Sequence, residues 1–412
     1  MPPAEIGWSL LAVVERFPAS SRSSCNRMNK SRVIALAFPR GGHLEVLIEG
    51  VLSYAGEKGR DWSYVAALET PVLSVVDLVD WPGDGILSAI NTKEEAACAA
   101  AMKTPIVNVS SALPVSPVPA CIIDNAAMGR LAGEHLIGRG FRSFGYYGVR
   151  DVTYSDERQQ GFEQTLAQAG YSSTAFLAYP TYHQRGNWLQ QSTALSDWLQ
   201  GLPKPAGVFA VSDYRARSAL EACRELGLKV PEDVAIVGTG NEDLVCSHVR
   251  PTLSSVARNN RLQGYRAAEL LDLLMRGEQV DTIQPPIPPL EVVERESTQT
   301  FAVTDPRLRS AMQYLHDHLH EPLFTIDDVA RHATVSRRWL EYAFREALEE
   351  TPYQYLRRQR LARARRLLMD EPNEKIHRIA RISGFSSAKQ LAILFQQELG
   401  MSPREYRRKV LS

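Results

Sequence analysis

The sequence is poor in cysteine and has no paired ones. Its five cysteines (Cys25, Cys98, Cys121, Cys223, Cys246) form no Cys-x-x-Cys and no His/Cys cluster. An odd, scattered set excludes a disulfide framework and a zinc site, and it reads as reduced thiols of the cytoplasm. Long hydrophobic runs are missing as well. No stretch reaches the roughly 18 apolar residues that cross a bilayer. The apolar residues 6–14 end at Glu15-Arg16 and follow no cationic segment, which speaks against a secretion signal and a membrane partner. Phosphate and nucleophile signatures are absent too. There is no Walker A, no G-x-S-x-G and no G-x-G-x-x-G after the first strand, and Gly238-Thr239-Gly240 lacks the later glycine of a dinucleotide site. Neither a cofactor nor a catalytic constellation is expected. His316, His318 and His320 put only their outer pair on one helix face, so a solvated helix end is the favoured reading and no metal is expected.

Net charge is also absent, but only on average. Residues 305–412 carry 20 Lys and Arg against 14 Asp and Glu, while the rest of the chain is acidic by the same margin. A basic module on an acidic body points to a polyanion as partner of that module alone.

That basic segment contains a repeat. Ile326-Asp327-Asp328-Val329-Ala330-Arg331 is echoed by Ile376-His377-Arg378-Ile379-Ala380-Arg381. Each copy passes a short break and a Ser, then enters a helical pattern with a Phe near its end (Phe344, Phe395). Thr351-Pro352 and Ser402-Pro403 close the copies alike. Two short helices joined by a tight turn, the second starting on a Ser cap, form a helix-turn-helix, here in tandem. The recognition helices are expected at 336–348 and 386–398, joined by a helix from Thr351 to about Met369. Nineteen residues span about 28 Å, against roughly 34 Å for a turn of B-DNA, so one chain can read two adjacent half-sites. Leu340 and Phe344, and Leu391, Leu394 and Phe395, should pack inward. Arg338, Tyr342, Lys389 and Gln390 are then the base-contact candidates. Arg337 and the helix start at Ser386 are phosphate candidates, as are some of the six arginines of the connecting helix. The repeat offset grows from fifty at Ile326/Ile376 to fifty-one at Phe344/Phe395. Ser387 rather than Ser386 is therefore a candidate counterpart of Ser336, and the two half-sites should differ.

Upstream, residues 1–30 read as a disordered or mis-annotated extension, with translation starting at Met28. From residue 32, Val- and Ile-rich runs without alternation are separated by helical patterns. They read as strands buried on both faces of parallel sheets.

Several motifs in this region fall in a specific order. Asp124-Asn125 opens a helix through Met128-Gly129 and His135-Leu136-Ile137. Phe144-Gly145-Tyr146-Tyr147-Gly148, Glu157-Arg158-Gln159-Gln160-Gly161-Phe162 and Phe209-Ala210-Val211-Ser212-Asp213 follow. Val230-Pro231-Glu232-Asp233-Val234-Ala235-Ile236-Val237-Gly238 and Leu253-Ser254-Ser255-Val256 complete the series. The order resembles the effector domain of LacI/GalR-type repressors, which shares its fold with periplasmic sugar-binding proteins. The resemblance implies an α/β two-lobed periplasmic-binding-protein-like effector domain over 31–297. Its crossovers fall near 124, 256 and 285, and a ligand sits in the cleft at the C-terminal strand ends. It implies Arg158, Asp213 and Asn241 as ligand contacts, with Asp213 also readable as an ordinary N-cap. The chain departs from the family at two places. His43-Leu44-Glu45 stands where Tyr-x-Arg is usual, and Asn241 lacks a preceding Asp. Glu45, with Glu242 or Asp243, is the candidate replacement.

After a linker at 298–304, residues 305–412 resemble the DNA-binding domain of the AraC family, an all-α domain with two helix-turn-helix motifs. The match rests on Ser383-Gly384-Phe385-Ser386-Ser387, Phe395 and Gly400-Met401-Ser402-Pro403-Arg404-Glu405-Tyr406-Arg407. The combination resembles the xylose-operon activators. It implies a cytoplasmic, homodimeric transcription regulator that senses a sugar such as xylose and binds double-stranded DNA, with RNA polymerase a further candidate partner. The alternatives are the same scaffold sensing a hexose derivative or nucleobase, and an α/β enzyme carrying a DNA-targeting tail.

Overall fold

Strand–helix alternation builds two separate sheets, as the patterning predicts, and a helical region follows them. The computed structural model describes residues 31–38, 42–66, 73–180, 188–282, 284–303, 305–371 and 374–411. The expected extension at 1–30 lies outside these residues.

The first series is β1 (Arg32–Ala37), α1 (Gly42–Glu57), β2 (Trp62–Ala66), β3 (Gly85–Ser88), α2 (Lys93–Ala101) and β4 (Ile106–Asn108). Its four strands are parallel in the order β2-β1-β3-β4. Between β2 and β3 the chain makes only a 3-10 turn, Val75–Leu78, fixed by a capping box between Ser74 and Asp77. The second series is α3 (Asn125–Gly138), β5 (Ser143–Val149), α4 (Thr153–Gln168), β6 (Ser173–Ala178), α5 (Trp188–Gly201), β7 (Ala206–Ala210), α6 (Asp213–Glu225), β8 (Val234–Gly240), α7 (Asp243–Cys246) and β9 (Ser254–Ala257). Then come α8 (Asn260–Met275) and β10 (Val292–Val293). The second sheet runs β10-β9-β8-β7-β5-β6, parallel except for the β10–β9 pair. Its inner strands β5, β7, β8 and β9 are almost wholly buried, with Val208, Ile236 and Val256 at zero exposure, as expected of strands covered on both faces, while the edge strand β6 is partly exposed.

The helical region is α9 (Pro306–His318), α10 (Ile326–His332), α11 (Arg337–Leu348), α12 (Pro352–Asp370), α13 (Ile376–Ile382), α14 (Ala388–Leu399) and α15 (Pro403–Leu411). Two hydrophobic clusters hold it. Leu315, Val329, Leu340, Phe344 and Tyr355 centre the first, and Ala364, Leu368, Ile379, Leu391 and Phe395 the second. Helix α12 contributes to both clusters, so it is the spine of the region.

The chain divides into two compact units. One contains the first series with α8, up to Ile122 and again over Asn260–Pro286. The other contains the second series, over Ile123–Asn259, and everything from Ile287 onward. The helical region therefore belongs to the same unit as the second α/β lobe. No helix among the described residues is long and apolar enough to cross a membrane.

Candidate ligand site and nucleic-acid interface

In the second lobe, each of four parallel strands delivers a polar residue at or beyond its C-terminal end. Helix α4 after β5 carries Arg158, α6 after β7 opens with Asp213, Asn241 directly follows β8, and Arg258 directly follows β9. This is where open parallel sheets present side chains to ligands.

Arg158 is 5% exposed. Its Nε donates to Asn125 Oδ1 at 3.0 Å and its Nη1 to the carbonyl of Val211 at 2.5 Å. The guanidinium lies over the Tyr154 ring, 5.0 Å from its centroid. Burial pulls its pKa down, with Tyr146, Tyr154, Asp213 and Glu157 opposing. Asp213 is fully buried. Its carboxylate accepts from Ser255 Oγ at 2.6 Å and from the Glu242 backbone N–H at 2.8 Å. Burial raises its pKa against those two bonds. The N-cap of α6 is Ser212, whose hydroxyl accepts from Arg215 N–H. Asp213 is therefore not the N-cap: it ties the helix start to the loop after β8 and to strand β9. Asn241 has φ +56°, a left-handed conformation that Asn tolerates. Its N–H donates to the same Ser255 hydroxyl at 3.0 Å, and its Oδ1 accepts from Arg295 at 2.9 Å. The structure thus joins Asp213 and Asn241 through Ser255, with Arg158 bonded two residues upstream of Asp213. Glu45 lies in the first turn of α1, in the other unit, and is exposed. The side chain of His43 lies outside the described residues.

Sequence reasoning missed Arg258. Its Nε is buried with no partner among the described residues. Its pKa is pulled down to about 10, first by burial and then by the nearby Arg158 guanidinium, while Glu242, Tyr154 and Asp213 oppose. A guanidinium N–H buried beside another cation is costly unless an acceptor arrives. The available signal was a charged residue two positions after the Leu253-Ser254-Ser255-Val256 motif. In the other unit, Ser88 Oγ at the end of β3 is also buried without a partner among the described residues.

In the helical region both recognition helices bury the residues expected. Leu340 and Phe344 of α11, and Leu391, Leu394 and Phe395 of α14, are buried. Arg338, Tyr342 and Lys389 are exposed. Arg337 is exposed too but is paired with Asp327 at 3.1 Å and Glu341 at 3.4 Å. The start of α14 needs a correction. Its N-cap is Ser387, which accepts from Gln390 N–H, as Ser336 does from Trp339 N–H in α11. Ser386 instead donates its N–H and hydroxyl to Gln390 Oε1, both at 3.0 Å. In this arrangement Ser386 offers no free helix-start N–H. Gln390 has its acceptor engaged, leaving only its amide NH2 to read a base. The extra residue lies between the left-handed turn residue (Thr334 or Gly384) and the cap.

The arginines of α12 also differ from expectation. Arg360 is buried and donates to the carbonyls of Leu319 and Glu321, both at 2.7 Å. Arg363 holds the Ile382 carbonyl, Arg365 the Tyr406 hydroxyl, Arg358 pairs with Glu350 and Arg357 bonds Gln397. All five serve protein contacts, Arg360 from a buried position and the others from the partly exposed flanks of the helix. The side chain of Arg366 lies outside the described residues.

The second lobe is seamed to the first helix-turn-helix. Glu294, just past β10, pairs with Arg139 of the α3 end and with His316 of α9. Burial opposes its charge, but the His316 hydrogen bond, the Arg139 guanidinium and the His135 ring hold its carboxyl well below the usual carboxylate range. His316 is therefore an interdomain contact and not a solvated helix end. His318 bonds the Tyr314 carbonyl and stacks on Phe324. Among the described residues no cluster of three His, Cys, Asp or Glu side chains could hold a metal ion.

Two family models match the chain: a periplasmic binding protein-like domain over residues 134–298 and a helix-turn-helix domain over 329–409. The chain is 31% identical over 369 residues to the xylose operon regulatory protein of Escherichia coli K12, covering 88% of this chain and 93% of that one. The protein of the same name from Haemophilus influenzae is 33% identical, over 70% and 74%. A solved structure of a xylose-binding transcription activator, xylR, matches with a TM-score of 0.60 at 30% identity, covering 93% of this chain and 99% of that chain. This similarity spans both the α/β lobes and the helical region, so the chain belongs to the family of the xylose operon regulatory proteins, transcription regulators that join a periplasmic-binding-protein-like domain to a helix-turn-helix domain.

Proposed function

We propose that the chain senses a sugar, with D-xylose the first candidate, and regulates carbohydrate-use genes by binding double-stranded DNA through α11 and α14. The observation that carries the ligand half is the pair of neighbouring guanidiniums at the strand ends of the second lobe, with Arg258 Nε buried and unpartnered among the described residues. Sugar hydroxyls are acceptors and donors in pairs, and a planar guanidinium matches such a pair. Asp213 and Glu242 offset the two cations, which suits a neutral polyol. Asp213 and Asn241 shape the site through Ser255, while Arg158 and Arg258 touch the ligand. Glu45, exposed on the first lobe, is a separate candidate for a polar ligand contact. For DNA, Arg338, Tyr342 and Lys389 are the base readers, with Gln390 restricted to donation and Arg337 released from Asp327 to hold a phosphate. The names of the relatives support regulation rather than catalysis, and a regulator of genes acts in the cytoplasm. A homodimer formed by the effector lobes, with RNA polymerase as a further partner, completes the reading.

The departures at His43-Leu44-Glu45 and Gly240-Asn241-Glu242 favour, as the second reading, a hexose derivative or nucleobase on the same scaffold. Isothermal titration of the full chain with D-xylose, D-ribose, L-arabinose, D-glucose and adenine separates the two. D-xylose is expected to bind, and Arg258→Met and Arg158→Ala to weaken it at least about tenfold, the loss of one charged hydrogen bond. Binding of adenine or a hexose alone would transfer the site to the second reading.

A further inference from the structure

Helix α3 touches the ligand-side cluster at its start and the DNA-binding helices at its end. At the start, Asn125 accepts from Arg158 and donates to Glu157 at 2.9 Å. About 21 Å away, at 1.5 Å per residue over the fourteen of α3, residues 138–142 hold the DNA-binding region at several points. The Gly138 carbonyl accepts from the buried Tyr355 hydroxyl of α12 at 3.3 Å. Arg139 pairs with Glu294, which also takes His316 of α9, and the Arg139 carbonyl accepts from Ala302 N–H. Arg142 Nη2 donates to the carbonyls of Glu346 and Ala347 in the last turn of α11, at 3.1 and 2.6 Å. Those carbonyls are the ones a helix leaves without an internal partner, so Arg142 acts as a C-terminal cap supplied by the effector lobe.

Between its two ends α3 cannot slide freely. A Cβ on Gly129 would lie 2.0 Å from the Arg158 carbonyl, and one on Gly161 would lie 2.0 Å from the Ala126 carbonyl. The backbones of α3 and α4 are therefore in direct contact beside the residue that carries the ligand-side guanidinium. Any displacement of Arg158 is shared by α3.

We propose that α3 is the lever coupling the effector to the first helix-turn-helix, with Arg142 and the Glu294–His316 clasp as the positioning residues that fix α9 and the end of α11 to it. This inference rests on the reading that a sugar engages Arg158. A ligand that draws on Arg158 displaces Asn125 and the α3 start, and the 138–142 corner carries that displacement to the first reader. The corner then contributes to coupling, while the strand ends set ligand affinity. Because coupling is reciprocal, DNA must change sugar affinity by the factor with which sugar changes DNA affinity.

The test uses the full chain, D-xylose as probe and a DNA site selected by binding. In the wild type, D-xylose should change DNA affinity by about 5- to 150-fold. In Arg142→Ala and His316→Ala the factor should fall below about twofold, while D-xylose affinity without DNA stays within about twofold of wild type. Arg142→Lys, which keeps the charge but not the fork, should fall between. Variants that keep the wild-type factor overturn the proposal. Amide hydrogen exchange without sugar provides a second readout. Arg142→Ala should speed exchange in the last turn of α11 about tenfold, and unchanged exchange overturns the clasp. A wild-type chain that binds no D-xylose sinks the sugar reading, and the exchange result then decides the clasp on its own.

Discussion

Gly384 shows how a single residue of the second helix-turn-helix is set by what lies against it. Its φ is +86°, in the left-handed region where a Cβ is disfavoured. A Cβ there would also lie 2.1 Å from the Leu319 carbonyl and 2.5 Å from Arg360 Nε. The glycine thus lets the turn approach the carbonyl that Arg360 binds. Thr334, its counterpart in the first copy, adopts a similar conformation at φ +56° as a non-glycine, so only the second turn is forced by proximity. Gly384→Ala should destabilise the chain by more than about 1 kcal/mol, read as a lower urea midpoint at unchanged slope, whereas Thr334→Gly should be neutral or mildly stabilising. Equal effects at the two turns would mean that the contact with Leu319 and Arg360 is unimportant. The motif around Gly384 was visible in the sequence, but its neighbours were not, since Leu319 and Arg360 come from distant segments.

At the scale of elements, helix starts account for most of what could be read in advance. Thr325 with Asp328 and Thr351 with Gln354 form capping boxes, and α12 ends one residue beyond the predicted stop. Helix α14 is the exception that the fifty-one-residue offset flagged. Ser387→Ala removes its N-cap hydrogen bond and should cost about 1 kcal/mol. Ser386→Ala leaves that bond in place and should cost less. Chemical denaturation of the two variants ranks them, and a larger loss for Ser386→Ala would contradict the assigned cap. The arginines of α12 were harder. A run of six basic residues looks like a phosphate-binding face, and only the tertiary contacts show that five of them bind protein.

At the scale of the whole chain, the helical region and the second α/β lobe form one compact unit. Its two readers are unequal. Helix α11 presents Arg338 and Tyr342 and has its C-terminal carbonyls held by Arg142. Helix α14 presents Lys389 and Ile393, with the acceptor of Gln390 already engaged. Different side chains face different bases, so the two half-sites should differ in sequence. Selection of bound DNA from a random pool is expected to return a composite site with two unlike halves, and two identical halves would refute the assignment.

Local chemistry alone determined much of this protein. The periodicity of its apolar residues set the order of strands and helices. Ser and Thr before helical runs set the helix starts, and the repeat with its one-residue offset set two non-identical helix-turn-helix units. The resemblance carried by motif order, rather than local chemistry, implied Arg158, Asp213 and Asn241 as ligand contacts. What each of these residues does was decided by tertiary structure, because hydrogen-bond partners come from segments remote in sequence. Asp213 is satisfied by Ser255 and Glu242, Arg158 by Asn125 and Val211, and Arg258 Nε has no partner among the described residues. His316, an unremarkable helix residue in sequence, became part of an interdomain clasp only once folding brought Glu294 and Arg139 to it.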